Sequence, residues 1–346
     1  MTEQSHAPLV LGIETSCDET AAAVVREGRE ILASVVATQD DLHTVFGGVV
    51  PEIASRRHTE TITVVIDRAL SQAQVALDEI SLIAATQGPG LIGSLLVGVS
   101  AAKGLAVACG IPLVGVNHLE AHVMANFIAA PGERPAASDL FPALCLLASG
   151  GHTSLFLVHG FGHYEPLGET RDDAAGEALD KAARLLDLGY PGGPAIEQAA
   201  LRGDPKAVAF PRPQVAGTVD FSFAGLKTAL VRHLAECGEL SGQQVADIAA
   251  SFQAAVVDVL LRNTWSAADR QGVRQVIMAG GVAANTLLRT RLAQEGGRRG
   301  LPVAFPPVSL CTDNAAMVAA AGFFAAGRDG CAGLDMDVFS SLPLTG

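Results

Sequence analysis

Two histidines four residues apart, in Asn117-His118-Leu119-Glu120-Ala121-His122, have a spacing that suits metal chemistry. On a helix, positions i and i+4 share a face with Cβ atoms about 6 Å apart, which suits two ligands of one ion. The run is not HExxH, because Leu119 stands where a zinc protease carries its general-base glutamate. The plainer alternative is a pair of half-exposed surface histidines. Asp313, in Cys311-Thr312-Asp313-Asn314, is the candidate third ligand, and its own plainer alternative is a helix N-cap.

Three glycine-rich turns form a second set. Ser149-Gly150-Gly151-His152-Thr153 sits between two apolar runs, where paired glycines let a backbone approach a phosphate and the hydroxyls add donors. Ala279 to Asn285 follows a buried strand pattern and opens a helix, a geometry suited to a nucleotide at a helix N-terminus. Pro191-Gly192-Gly193-Pro194 precedes another helix. One such turn is ordinary; three in one α/β chain point to a ligand. Neither GxGxxG after the first strand nor GxxxxGK[ST] is present. In the acidic segment Thr170 to Lys181, Asp172 and Asp173 read as helix caps. Asp180, at the edge of an apolar face, needs a partner that a ribose hydroxyl would supply.

These residues must be positioned by strands and helices. Leu9–Glu14 and Thr20–Val25 flank one polar turn; Leu144–Ala148 and Ser154–Val158 flank another about 135 residues on, which suggests a distant duplication. Helical patterns cover Ser55–Ala73, Ser94–Ala108, His118–Ala130, Asp172–Leu186, Ala195–Leu201, Gly242–Ala268, Ala284–Glu295 and Asp313–Ala326. Buried strands are expected at Leu113–Val116 and Val273–Met278. Alternation of the two kinds means an α/β fold in two lobes. The first lobe is expected at residues 1–130, completed by a C-terminal helix at 313–346, and the second at 131–312.

The net charge of −13 argues against a chain wrapped uniformly on a polyanion. Local basic clusters remain: Arg56, Arg57 and His58, then Arg289, Arg291, Arg298 and Arg299. Six cysteines without a CxxC pair read as reduced cytosolic thiols. The start of the chain lacks a signal-peptide pattern. Leu91 to Val116 is interrupted by Lys103, several glycines and Pro112, so it reads as a buried helix and strand. A cytoplasmic protein with no membrane attachment is expected.

Taken together these motifs resemble the TsaD family, the tRNA threonylcarbamoyladenosine transferases earlier labelled O-sialoglycoprotein endopeptidases. The segments Gly12 to Thr20, Gly47 to Glu52, His118 to His122, Ser149 to Thr153, Asp172 to Lys181, Tyr190 to Pro194, Asp220 to Thr228, Ala279 to Asn285 and Cys311 to Asn314 run in the family's order. Ala148, Leu179 and Ala224 depart from its usual residues. The resemblance implies the two-lobed actin-like ATPase fold (hexokinase, actin, Hsp70) with a central nucleotide cleft. It implies one divalent metal, iron favoured and zinc the alternative, on His118, His122 and Asp313. The threonylcarbamoyl-adenylate, or ATP in its place, would lie against Leu147, Ala148, Ser149, Gly150 and Gly151. Asp180 and Glu197 would reach ribose, with Gly193 and Asn285 near the nucleoside. The acceptor would be the exocyclic amine of the adenosine following the anticodon in tRNAs reading A-starting codons, with AMP released.

Because the adenylate is already activated, the enzyme must align the carbonyl with a weak amine, neutralise charge and accept a proton. Asp18 and Glu19, in the first polar turn, are candidates for that base; ordering the turn is their alternative role. The family also implies a TsaB-like paralogue, a TsaE-like ATPase and a separate synthase supplying the adenylate. A metalloprotease, a sugar or acetate kinase and a non-catalytic scaffold are the competing classes. Against them stand the missing protease glutamate, the Glu14-Thr15-Ser16-Cys17 turn in place of Asp-x-Gly-Thr, and the presence of both histidines.

Overall fold

Short apolar runs bounded by turn residues build two five-stranded sheets in the computed structural model, which describes residues 7–137 and 139–344. In the first sheet, β1 (Leu9–Glu14), β2 (Thr20–Arg26) and β3 (Glu30–Ala37) are antiparallel neighbours. After α1 (Asp40–Thr44) and α2 (Pro51–Ala73), β4 (Leu82–Gly88) pairs parallel to β1. Helix α3 (Ile92–Cys109) then leads to β5 (Leu113–Asn117), parallel to β4, and α4 (His118–Met124) follows directly.

The second sheet repeats the plan. β6 (Ala143–Ala148), β7 (Thr153–Gly160) and β8 (His163–Glu169) are antiparallel neighbours. Four helices intervene: α5 (Ala175–Leu185), α6 (Gly192–Ala200), α7 (Ala224–Cys237) and α8 (Gly242–Gln271). β9 (Gln275–Ala279) joins parallel to β6; α9 (Thr286–Arg299) and β10 (Val303–Ala304) follow, and α10 (Ala315–Asp329) comes last. The orders β3-β2-β1-β4-β5 and β8-β7-β6-β9-β10 are the same, so the duplication suggested by the two strand–turn–strand units is a duplication of topology.

Period-two alternation sends side chains to both faces of each sheet, and both faces are covered. From β6, Leu144, Leu146 and Ala148 enter the core beneath α5 to α9, while Ala143, Cys145 and Leu147 enter a core shared with the first sheet. That shared core contains α4 and α10. The outer face of the first sheet is covered by α2 and α3. The molecule is thus five layers, with α4 and α10 in the middle. Small residues permit this: α10 presents Ala315, Ala316, Ala319, Ala320 and Ala321, all fully buried. Its backbone comes so near β1 that a Cβ on Gly12 would lie 2.1 Å from the Ala315 carbonyl oxygen.

The apolar stripe Ile62, Val65, Ile66 and Ala69 of α2 packs internally on the first sheet. Helices α3 and α8 are long and apolar enough to cross a bilayer by length and composition. Most of α8 is buried within the fold, and α3 packs one face on α2 and β4 while exposing Ile92, Leu96 and Val107.

Several elements differ from the sequence patterns. Strand β8 carries Pro166 and mostly exposed residues because it is a sheet edge, where a missing donor is tolerated. The helix expected over His118–Ala130 ends at Met124 and tightens into a 3-10 turn at Ala125–Phe127; every residue is buried, so no polar face marks the end. The C-terminal helix occupies only Ala315–Asp329 of 313–346.

Helix α5 begins at Ala175, so Asp172 and Asp173 lie outside it. Asp172 instead serves α7: its Oδ1 accepts the N–H groups of Phe223 (2.7 Å) and Ala224 (3.2 Å), and its Oδ2 accepts the Ser222 hydroxyl (2.5 Å). Asp172→Ala is expected to cost about 1–2 kcal/mol of stability, the value of a lost helix cap. Equilibrium urea unfolding checks it, and an unchanged midpoint would deny Asp172 that role.

Candidate active site

The central layer delivers the metal-ligand candidates. Asn117 starts α4, its Oδ1 accepting the N–H of Leu119 (2.9 Å) and Glu120 (3.4 Å), so His118 and His122 sit on successive turns of one short buried helix. Their rings meet edge to face with centroids 4.6 Å apart. Asn314, not Asp313, caps α10: its Oδ1 accepts the Met317 N–H at 3.0 Å. The Asp313 carboxylate is thereby free to face the histidines, 3.5 Å from His118 Nε2 and 3.1 Å from His122 Nε2. One ligand atom from each of the three residues lies within 4.8 Å of the others. Glu120 turns elsewhere, accepting from the Tyr164 hydroxyl at 3.2 Å and pairing with Arg328 at 3.4 Å.

The cluster has the marks of a cation site. Both nitrogens of the buried His122 ring lack a hydrogen-bond partner among the described residues. The 3.1 Å approach of Nε2 to Asp313 is close but not aligned as a hydrogen bond, which is how two ligands of a common ion stand. Behind His118, Glu14 Oε2 lies 3.0 Å from Nδ1, the carboxylate–histidine arrangement that fixes a ligating ring with Nε2 outward. Glu14 is itself held by the Thr86 hydroxyl (2.8 Å) and the Ser16 N–H (2.5 Å). Burial opposes charge on His118, but Asp313 and Glu14 outweigh it and hold the ring up to about 9. Burial likewise opposes charge on Asp313, yet the two histidines hold its carboxyl well below the usual range. A proton on His118 Nε2 and a metal there exclude each other, so metal affinity falls with acidity.

Both polar turns converge on this cluster. On the first-sheet side, Asp18 is buried and Glu19 half-buried at the β1–β2 turn. Burial, then Asp313, then Asp18 push the Glu19 carboxyl well above its ordinary range. On the other side, burial first and then the His118 and His122 rings lower His152 to about 4, so it stands neutral. Its turn is closed by Ser149 N–H to the His152 carbonyl (2.8 Å) and His152 N–H to the Ser149 hydroxyl (3.1 Å). Gly150 and Gly151 are exposed with open space where a Cβ would go. Leu147 and Ala148 end β6 with wholly buried side chains, so only their main chain can meet a ligand. Gly280 (φ +87°) abuts the Ala148 carbonyl oxygen, 2.4 Å from an added Cβ, so close packing already accounts for that glycine.

The remaining candidates form a chain of helix starts. Asp180 Oδ1 accepts the Gly192 N–H at 2.9 Å and opens α6 beside Gly193. Glu197 on α6 accepts the Thr286 N–H at 2.8 Å. Asn285 caps α9 through the Leu288 N–H (3.0 Å) and donates to Gln253 Oε1 (3.0 Å). Burial raises the Asp180 carboxyl, and the main chain at Gly192 and Gly193 opposes that rise.

The basic clusters do not form a free patch. Arg289 bonds to the carbonyls of Ala283 (2.9 Å) and Pro306 (3.2 Å) and lies over Phe305. Arg291 pairs with Asp258, and Arg298 and Arg299 with Glu295. Arg56 and Arg57 pair with Glu52 and Glu60, and His58 is buried against Thr20 and Cys17. Glu14 and His152 lie inside motifs that the sequence singles out, but nothing local gives either a role; both roles come from the packing of distant segments around His118.

The family model described as TsaD, tRNA N6-adenosine threonylcarbamoyltransferase, matches residues 30–320. Proteins of that name from Symbiobacterium thermophilum and Geobacter metallireducens are 56% and 53% identical. The first match covers 91% of each chain and the second 97% of each. Among solved structures, HypF of T. kodakarensis superposes with a TM-score of 0.60 at 16% identity, over 93% of this chain and 48% of that one. The Acidaminococcus fermentans (R)-2-hydroxyglutaryl-CoA dehydratase component A gives 0.53 at 15% identity, over 93% and 100%. These likenesses show the fold, the two-lobed actin-like ATPase architecture.

Proposed function

The chain belongs to the TsaD family of tRNA N6-adenosine threonylcarbamoyltransferases, and from that membership we propose how its cleft carries out the transfer. The donor is threonylcarbamoyl-adenylate. The acceptor is the N6 amine of the adenosine following the anticodon in tRNAs reading A-starting codons. The amine nitrogen bonds to the carbamoyl carbon, the bond from that carbon to the phosphate oxygen breaks, and AMP leaves. The N6 proton passes to the Asp18–Glu19 turn, where burial and the neighbouring carboxylates raise the proton affinity of Glu19.

His118, His122 and Asp313 hold one divalent metal. Two imidazoles and one carboxylate suit iron, which we favour, or zinc. Bound there, the ion supplies Lewis-acid stabilisation of negative charge. Glu14 orients His118 from behind. The main-chain N–H groups of Ser149 to Gly151 receive the adenylate. Asp180 and Glu197 face ribose, with Gly193 and Asn285 beside the nucleoside. The observation that carries this reading is the pair of buried, unpartnered His122 nitrogens next to Asp313. ATP is an alternative occupant of the same pocket.

With a charge of −13 and the arginines of its two basic clusters paired with carboxylates or carbonyls, the isolated chain is expected to bind tRNA weakly. A TsaB-like partner, a TsaE-like ATPase and a separate synthase complete the system, all in the cytoplasm where tRNA is. The exposed Val64 of α2 and Leu96 of α3 offer the partner an apolar surface. Filter binding and transfer at fixed salt, with and without partners, test this; tight tRNA binding and full multiple turnover by the chain alone would refute it.

Asp180→Ala is expected to weaken binding of an AMP-containing ligand by about 1–3 kcal/mol and to leave metal content unchanged. Calorimetry reads the first quantity and elemental analysis the second. Unchanged ligand affinity would confine Asp180 to opening α6.

A further inference from the structure

The segment between β3 and α2 crosses to the other half of the molecule. It is anchored by His43, fully buried, whose Nδ1 accepts the Val50 N–H at 3.3 Å and whose carbonyl accepts the N–H of Phe46 (3.0 Å) and Gly48 (3.2 Å). Its far end meets α5: the Arg184 guanidinium donates to the Gly47 carbonyl. Arg184 lies one helical turn beyond Asp180, so the strap ends at the rim of the adenylate side of the cleft. At its base, Asp40 has its carboxyl raised by burial and by the Asp18 charge, which places that end near the proton-accepting turn.

The main chain of the tip is tied down, but its two large side chains point mostly into solvent. Val45 is 81% exposed and Phe46 60%, and Phe46 is the most exposed phenylalanine among the described residues. An apolar pair at a cleft rim fits a partner that brings a flat, unpaired ring. The substrate brings such rings, because the acceptor adenosine enters the cleft and its loop neighbours must lie at the rim. Stacking of unpaired bases on aromatic side chains is one part of how single-stranded RNA is held, and that part does not itself depend on positive charge. That suits a chain whose arginine clusters are internally paired.

We propose that Phe46, presented by the strap that Arg184 pins across the cleft, stacks on an unpaired anticodon-loop base next to the acceptor adenosine. The proposal rests on the transfer reading above.

The test uses the full metal-loaded chain with Phe46→Ala and Phe46→Trp. Its probe is a labelled anticodon stem-loop, with transfer measured in the presence of the partners. Phe46→Ala is expected to raise the stem-loop Kd and the KM for tRNA about tenfold or more, the worth of one base–aromatic stack. Phe46→Trp restores both, and kcat at saturating tRNA and affinity for an AMP-containing ligand do not move. Equal stem-loop affinity in wild type and Phe46→Ala would overturn the proposal. So would a loss seen only when partner chains are present, which would make the tip a protein contact. A wild-type chain that binds the stem-loop without transferring would instead strike the transfer reading, and the stem-loop affinities would still decide the role of Phe46.

Discussion

His118→Ala and His122→Ala should each empty the metal site and lower threonylcarbamoyl transfer about a thousandfold or more, because the Lewis-acid contribution is several kcal/mol. The two variants should differ in stability. His122 has no hydrogen-bond partner among the described residues, so its loss removes packing and one of the two rings that hold the Asp313 charge, a support that His118 also gives. Removing His118 strands Glu14, which is wholly buried and keeps only the Thr86 and Ser16 donors. A buried charge deprived of a partner costs more, so His118→Ala should lie about 1–3 kcal/mol below His122→Ala. Elemental analysis and urea unfolding read the two effects separately. Full metal occupancy in the double variant would abolish the assignment.

Gly12→Ala should cost about 3 kcal/mol or more, although it adds one methyl group. The new Cβ would fall 2.1 Å from the Ala315 carbonyl oxygen and 2.8 Å from the Ala319 nitrogen. Both are backbone atoms of a helix wedged between two sheets, so no side chain can swing away and whole elements must separate. Gly104→Ala is the matched control. It lies within α3, a Cβ there meets nothing within 4 Å, and the change should stabilise by up to about 1 kcal/mol through helix propensity. Chemical denaturation of both variants, with metal content held constant, gives the comparison. Similar midpoints would mean that the β1–α10 approach is soft.

What could be read from the residues alone follows the range of the interactions involved. His118 and His122 were legible because their relation is local, one turn of one helix. Asp313 needed a choice between ligand and cap, and the neighbouring Asn314 took the cap. Acid at a helix start is a local rule, and it failed at Asp172, whose donors come from Phe223 and Ala224 some fifty residues away. Arg289 to Arg299 are neighbours in sequence, but a helix distributes them around its axis, where each meets a different partner. Asp180 was expected to need a ribose to justify its burial; part of that need is met by Gly192. The strap tip gave no signal, since Val45 and Phe46 look like any short apolar pair until their exposure is known.

The placement of α10 also has a consequence for how the molecule is made. The helix that covers the inner face of β1, β2, β4 and β5 follows every other helix among the described residues. While the ribosome works from Asn117, the end of β5, to Asp329, the first sheet exists without that cover, a wait of roughly 10–40 s at common elongation rates. During it, Val10, Ala21, Ala23 and Val25 have no helix to lie against. A nascent chain in this state is a natural client for a holding chaperone. A premature stop just before Ala315 would release a product with Asp313 present and the first sheet still bare, which quality control should clear rather than let fold.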